Sequence, residues 1–365
     1  MNPRSTGKIR VAVVSGGPSG EHDVSLASGR NVVTALPRDR FEVLSLVWRR
    51  DGRWTLLDAD EGPPSLLDGW EAGTSPLEHL QAALGLLRRI EPSIVFLALH
   101  GRGGEDGLVQ GLLELGDLPH TGSGVAASAL AFDKRGSKLV FRSAGVPTPP
   151  HVEVRRSDLE PDSGKVLRHV VSTVGLPCFA KVSDSGSSIG AYPCSTRAEL
   201  ATALVMALEE RPLCLVEPLL RGTEVTVGVL GNTGAIGRDA PMALPVTEIR
   251  PCSAPYFDYE SKYTPGATLE ITPARISEDV ADRVRDLAVR AHTALGCDGA
   301  TRTDLILTES GPAVLEVNTI PGLTETSLLP QGAAAAGIDF PALLVRMVEL
   351  GLARSRRHRS ETVRV

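Results

Sequence analysis

Two apolar runs stand out early in the chain, "VAVV" at 11–14 and "IVFLAL" at 94–99, with "FEVLSLVW" between them. Runs that are apolar throughout, separated by helical stretches such as "HDVSLASGRNVVTAL", predict strands buried on both faces and so a parallel α/β sheet. Ligands in such sheets bind beyond the carboxyl ends of the strands. Those ends carry "SGGPSGEHDVS" and "HGRGGEDG", the most polar and glycine-dense turns of the first third, while "DGRW" and "EGPP" read as one longer loop.

The pattern changes after "GSGVAASALAFDK" and the stiff connector "GVPTPPH". Short strands "CFAKV" and "LCLVEPLL" flank the loop "SDSGSSIGAYPCS" and a helix around "RAELATALVMALEE". The last third opens on the alternating strand "EVTVGVLG" and has a helix from Ser277 that presents Val280, Val284, Leu287, Ala291 and Leu295 on one face. "RTDLILTESGPAVLEVN" at 302–318 then predicts a hairpin. Side-chain alternation puts Arg302, Asp304, Glu316 and Asn318 away from a core face of Leu305, Leu307, Leu315 and Val317. The expected organisation is three domains, 1–122, 123–216 and 217–352, followed by a disordered basic tail at 353–365.

A length of 365 residues at 42% hydrophobic supports that domain count. The net charge of −6, with no basic stripe in the body of the chain, argues against a nucleic-acid partner. Five scattered cysteines without CxxC spacing indicate neither a disulfide framework nor zinc. No signal-like start and no membrane-length apolar run is present, so the sequence predicts a cytoplasmic protein without a membrane partner.

Charged residues on the solvated face of a hairpin are ordinary, but two carboxylates and an amide oxygen form a hard donor set suited to Mg²⁺ when phosphate oxygens complete the shell. Lysine use points the same way. Only six of the 38 basic residues are lysine, and Lys134, Lys138, Lys181 and Lys262 lie in or beside motif-like stretches. A compact ammonium suits a phosphate, and the loop "SDSGSSIG" after Lys181 offers backbone N–H groups to cover one. Two motifs are decoys. G-x-S-x-G around Ser188 lacks the strand–turn–helix context of a nucleophile elbow. "GSGVAA" follows no strand and reads as a close-packed helix start rather than a dinucleotide site. Glu21 follows a glycine turn at a strand end, where an ammonium could be received or the carboxylate could simply meet a helix N-terminus; His100 ends a strand and reads as a structural histidine, and Glu105 and Asp106 read as turn residues.

Together, "GGPSGEHDVSLASG", "LHGRGGEDGLVQGLLE", "SALAFDKRGSK", "GVPTPP", "SGSSIG", "FDYESKY", "TRTDLIL" and "LEVNTIPGLTETSL" resemble, in this order and over nearly the whole chain, the bacterial D-alanine–D-alanine ligases of the ATP-grasp superfamily. The resemblance implies a three-domain ATP-grasp fold and an ATP site between the middle and last domains. Lys134 and Lys181 would hold phosphates, the loop with Ser188 would cover them, Glu217 and Leu219 would meet the adenine, and Glu224 the ribose. Asp304, Glu316 and Asn318 would carry two Mg²⁺, with Mn²⁺ as a substitute and K⁺ as a candidate activator. Glu21 and His100 would serve the first D-alanine, and Lys262 and Ser327 the second. Arg302 and the Gly322 N–H would face the oxyanion, while Ser187 and Tyr263 would link to Glu21. Relatives are commonly homodimers. Three departures stand out: Val182 for a proline, Pro218 for a basic residue, and Thr326 for a histidine seen in some members. Tyr263 favours a dipeptide over a D-lactate ester. The rivals are a ligase taking D-lactate or D-serine second, and a nucleotide-binding regulator without catalysis, which would have lost Arg302 or the metal ligands.

Overall fold

The apolar run at 11–14 is the middle of a sheet covered on both sides, in a computed structural model that describes residues 7–57, 75–160, 162–184, 190–251, 268–324 and 327–362. The first third runs β1 (Ile9–Gly16), α1 (His22–Ala35), β2 (Phe41–Trp48), β3 (Trp54–Leu57), α2 (Pro76–Ile90), β4 (Ile94–Leu97) and α3 (Leu108–Leu115). Strand order is β3-β2-β1-β4, with β1 parallel to both neighbours. Val11 and Val13 pack toward Leu343, Leu344 and Met347, while Ala12 and Val14 pack toward Leu87 and Leu113, which is why this strand carries no polar alternation. The "DGRW" stretch is not loop but the turn into the antiparallel edge strand β3, whose Trp54 lies opposite Trp48.

Gly124 caps α4 (Val125–Phe132), so "GSGVAA" is the helix start expected of it. α5 (Lys134–Ser143) follows, and Ala127, Ala131 and Phe141 of these two helices join the core of the last sheet. The middle sheet is antiparallel, ordered β5-β8-β6-β7. It contains β5 (Val152–Arg155), then α6 (Ser163–Val174), β6 (Cys178–Val182), β7 (Ala191–Cys194), α7 (Arg197–Glu210) and β8 (Leu213–Pro218). Cys178 and Cys194 lie opposite one another on β6 and β7 as free, buried thiols.

The last sheet contains β9 (Thr223–Asn232), β10 (Met242–Ala243), β11 (Thr247–Pro251) and β12 (Thr268–Ile271); then come α8 (Glu278–Ala294), β13 (Asp298–Thr308), β14 (Gly311–Asn318), α9 (Leu328–Ala335) and α10 (Phe340–Thr362). Its order is β12-β11-β9-β13-β14, antiparallel throughout, with β10 on β9.

Three expectations change here. Val280 is exposed and Ala281 takes its place in the core, because the buried stripe of α8 runs through Ala281, Val284, Leu287, Ala288 and Ala291. A bulge after Asp304 pairs Leu305 with Val314, so Val314 is fully buried where Leu315 was expected. The basic tail is helical as far as the described residues go, because α10 continues to Thr362. Arg354 is buried, its guanidinium 3.1 Å from Glu114 Oε1 and 2.6 Å from His120 Nε2, and Arg357 reaches Asp298 at 3.0 Å. Glu114 of α3, the buried His120 and Asp298 of β13 order a stretch that composition alone assigns to solvent.

Candidate active site

β13 lies between β14 and β9, and this register assembles the polar floor. Arg302 stands opposite Asn318, Asp304 opposite Glu316, and Thr226 of β9 opposite Asp304. Directly opposed residues share a face, so all four hairpin residues point together, as alternation predicts. Arg302 grips Asp304 with two hydrogen bonds, Nε to Oδ1 at 2.9 Å and Nη2 to Oδ2 at 2.8 Å, and the Thr226 hydroxyl donates to Oδ1 at 2.6 Å. Burial works against the charge of Arg302, but Asp304, Glu316 and Glu105 outweigh it and raise the guanidinium above its ordinary range. Asn318 Oδ1 accepts the Ile320 N–H at 3.0 Å and so shapes the turn toward Gly322.

Above this floor stand the lysines. Lys134, at the start of α5, meets Glu316 at 3.2 Å, and its own N–H donates to Ser183 O at 2.9 Å, tying α5 to the end of β6. Lys181 on β6 and Lys138 on α5 each reach Glu217 at 3.0 Å. Burial opposes ionisation of Glu217, yet Lys181 and then Lys138 prevail and hold the carboxyl down at about 2. Lys181 is likewise desolvated, but Glu217, Glu316 and Glu224 raise its pKa, so these carboxylates all bear on one ammonium. For Lys138 burial wins and the pKa falls. Leu219 donates its N–H to Pro177 O at 3.0 Å.

The first sheet supplies the third wall. Glu21 precedes α1 and is buried beside the Gly101 turn. His100 is buried, with Ser28 Oγ 3.0 Å from Nε2 and Ile320 O 3.1 Å from Nδ1, and burial lowers its pKa. Both ring nitrogens are engaged within the protein, so the imidazole pins the segment before Gly322 to the first sheet. Gly322 has no room for a side chain: a Cβ would sit 2.8 Å from Ser327 Oγ, which accepts the Thr324 N–H at 3.0 Å. Asp106 caps its turn, accepting from Gly103 N at 2.8 Å, as read from sequence. Ser187, Ser188, Lys262, Tyr263 and Thr326 lie outside the described residues.

Sequence reasoning under-read Lys138 and missed Thr226. The scarcity of lysine and the four-residue step from Lys134 along one helix were the available signals for Lys138; for Thr226 only the strand register reveals the contact. Among the described residues no three His, Cys, Asp or Glu side chains are grouped for a metal. The hairpin offers instead two carboxylates and an amide, all oxygen donors, the carboxylates being held by Arg302 and Lys134. That donor set fits Mg²⁺.

The family model for the D-ala D-ala ligase N-terminus matches residues 10–123, and that for the C-terminus matches 140–349. A D-alanine–D-alanine ligase of Syntrophobacter fumaroxidans is 42% identical over 349 residues, 95% of this chain and 99% of that protein. One from Leptospira interrogans is 39% identical over 354 residues, 95% of this chain and 99% of that protein. Among solved structures, the D-alanine–D-alanine ligase of Coxiella burnetii superposes with a TM-score of 0.77 at 28% identity, covering 97% of each chain. The VanG D-Ala:D-Ser ligase of Enterococcus faecalis gives 0.76 at 28% identity, covering 94% of this chain and 99% of that one. With both halves matched and the polar hairpin, lysines and strand-end carboxylate in one place, the chain belongs to the D-alanine–D-alanine ligase family.

Proposed function

We propose that this protein joins two D-alanines into D-alanyl-D-alanine for peptidoglycan, consuming ATP and passing through an acyl phosphate. The observation that carries the reading is the convergence of Lys134, Lys181 and Glu217 on a face bearing Arg302, Asp304, Glu316 and Asn318, within a chain of this family. A carboxylate is a poor electrophile. Transfer of the γ-phosphoryl to the first D-alanine activates it, the amine of the second attacks, and phosphate leaves. Lys134 and Lys181 hold the phosphates, Glu217 and Leu219 border the adenine, and Glu224 the ribose. Glu21 receives the first ammonium, and Lys262 and Ser327 the second carboxylate. Arg302 and the Gly322 N–H stabilise the tetrahedral oxyanion. Ser187 and Tyr263 orient the covering loop, whose Ser188 meets phosphate. Asp304, Glu316 and Asn318 would hold two Mg²⁺, or Mn²⁺, which when bound offset the charge of the triphosphate.

A cytoplasmic homodimer activated by K⁺ completes the reading; among the described residues no single helix is long and apolar enough to cross a membrane. D-serine as second substrate is the alternative, supported by the similarity to the VanG D-Ala:D-Ser ligase. Phosphate release with ATP against a panel of D-amino and D-hydroxy acids, followed by product mass, tests both. Release that depends on D-alanine and yields the dipeptide is expected. Activity with D-alanine only when D-serine or D-lactate is added overturns the dipeptide reading, and no response to D-alanine overturns both.

A further inference from the structure

Glu217 meets one more ammonium than it can neutralise. Lys181 lies 3.0 Å from its Oε2 and Lys138 lies 3.0 Å from its Oε1. These three side chains leave one positive charge over, in a place where a charge without a counter-ion is costly. An anion arriving there would offset it.

The two lysines are not equivalent. The Lys181 side chain is 21% exposed, whereas that of Lys138 is 1% exposed and offers a ligand no surface. Lys138 Nζ instead donates to the Thr148 hydroxyl at 3.1 Å, and that hydroxyl donates to Val314 O at 2.9 Å. The Val314 N–H returns to Pro147 O at 2.8 Å. Val314 belongs to β14, the strand of Glu316 and Asn318, so a chain of polar contacts runs from that hairpin through Thr148 and Lys138 to Glu217 on β8. Lys138 is thus anchored on the hairpin side and closed to solvent, while Lys181 faces the open side of the same carboxylate.

Resting on the functional reading above, in which Lys181 holds phosphate, we infer that Lys138 is a positioning residue for ATP: it satisfies the inner oxygen of Glu217, so that the charge of Lys181 is left for the phosphates. Without Lys138, Glu217 and Lys181 form a closed neutral pair, and phosphate has to compete with a buried carboxylate for the ammonium. Lys138 touches no nucleotide. It acts through Glu217.

Inhibition constants of ADP and adenosine against ATP, measured on the full chain with Mg²⁺, separate this from a packing role. ADP carries phosphates and adenosine carries none, so the ratio of the two constants reports on phosphate whatever happens to the adenine contacts. Lys138→Met leaves Glu217 its Lys181 partner and should raise the ADP constant and KM for ATP about 10-fold, with adenosine and KM for D-alanine within about twofold of wild type. Adding Glu217→Gln to that variant removes the competing carboxylate and should return the ratio toward wild type. An unchanged ratio in Lys138→Met overturns the inference, and so does equal weakening of ADP and adenosine, the mark of a site that has lost its shape. The double variant gives a reading that does not require the single one to fold: a ratio that is low in it overturns the inference too. A wild type that binds ADP and turns over D-alanine, with the ratio unmoved by Lys138→Met, sinks this inference alone; a wild type that binds neither ADP nor adenosine sinks the functional reading with it.

Discussion

Glu217 shows how a single residue can organise a charged site. It holds two ammoniums, Lys138 and Lys181, which without it would repel across a dry interior. Glu316 performs the analogous task at the floor, where it faces Asp304 across the hairpin and is bound by Lys134. Its side chain is about 30% exposed, so its loss removes charge from the site rather than bulk from the core. Glu316→Ala should therefore lower ATP-dependent phosphate release at least about 100-fold with an unchanged melting curve. A variant that keeps more than about a tenth of the wild-type rate would count against the metal assignment.

At the scale of elements, the β13–β14 hairpin and α10 do different jobs. The bulge beside Asp304 lets one strand present Glu316 and Asn318 upward while Val314 and Val317 remain in the core. α10 is a clasp: Arg354 reaches Glu114 of α3, and Arg357 reaches Asp298 of β13, so one helix end ties the first sheet to the last. Arg354→Met leaves Glu114 and His120 without their cation and should cost about 2 kcal/mol in urea unfolding, discounted for the partial exposure of Glu114, while kcat stays near wild type. A midpoint identical to wild type would show that the clasp does not contribute to stability.

For the whole molecule, the buried ionisable groups set a pH window. His292 is packed against Thr301, its ring 2.8 Å from the hydroxyl, and burial lowers it from 6.5 to about 4. The folded state keeps it neutral while the unfolded chain binds a proton, so its contribution is complete above 6.5 and is lost as pH falls to 4. Glu217 adds a second, more acid step with the same sign, from 4.5 down to 2. The gap in melting temperature between wild type and His292→Gln should be constant above about pH 6.5 and change progressively as pH falls toward 4, in the sense of a wild type losing stability relative to the variant. A gap between the two proteins that stays constant from pH 7 down to about pH 4.5 would contradict this assignment.

The sequence by itself determined the elements and the chemical character of the site. Apolar continuity made β1 and β4 buried strands, period-two alternation put Arg302, Asp304, Glu316 and Asn318 on one face, and the rarity of lysine singled out Lys134 and Lys181. These are local properties, written in spacing and residue type. Only the tertiary structure decided what depends on distant partners. The bulge that exchanged Leu315 for Val314 is visible only in the pairing of β13 with β14, and the helical tail is held by an anion more than 50 residues away. Lys138 became a site residue because β8 carries Glu217 to it. A side chain's type is fixed where it stands in the chain, whereas its solvation and charge state depend on what the fold brings against it.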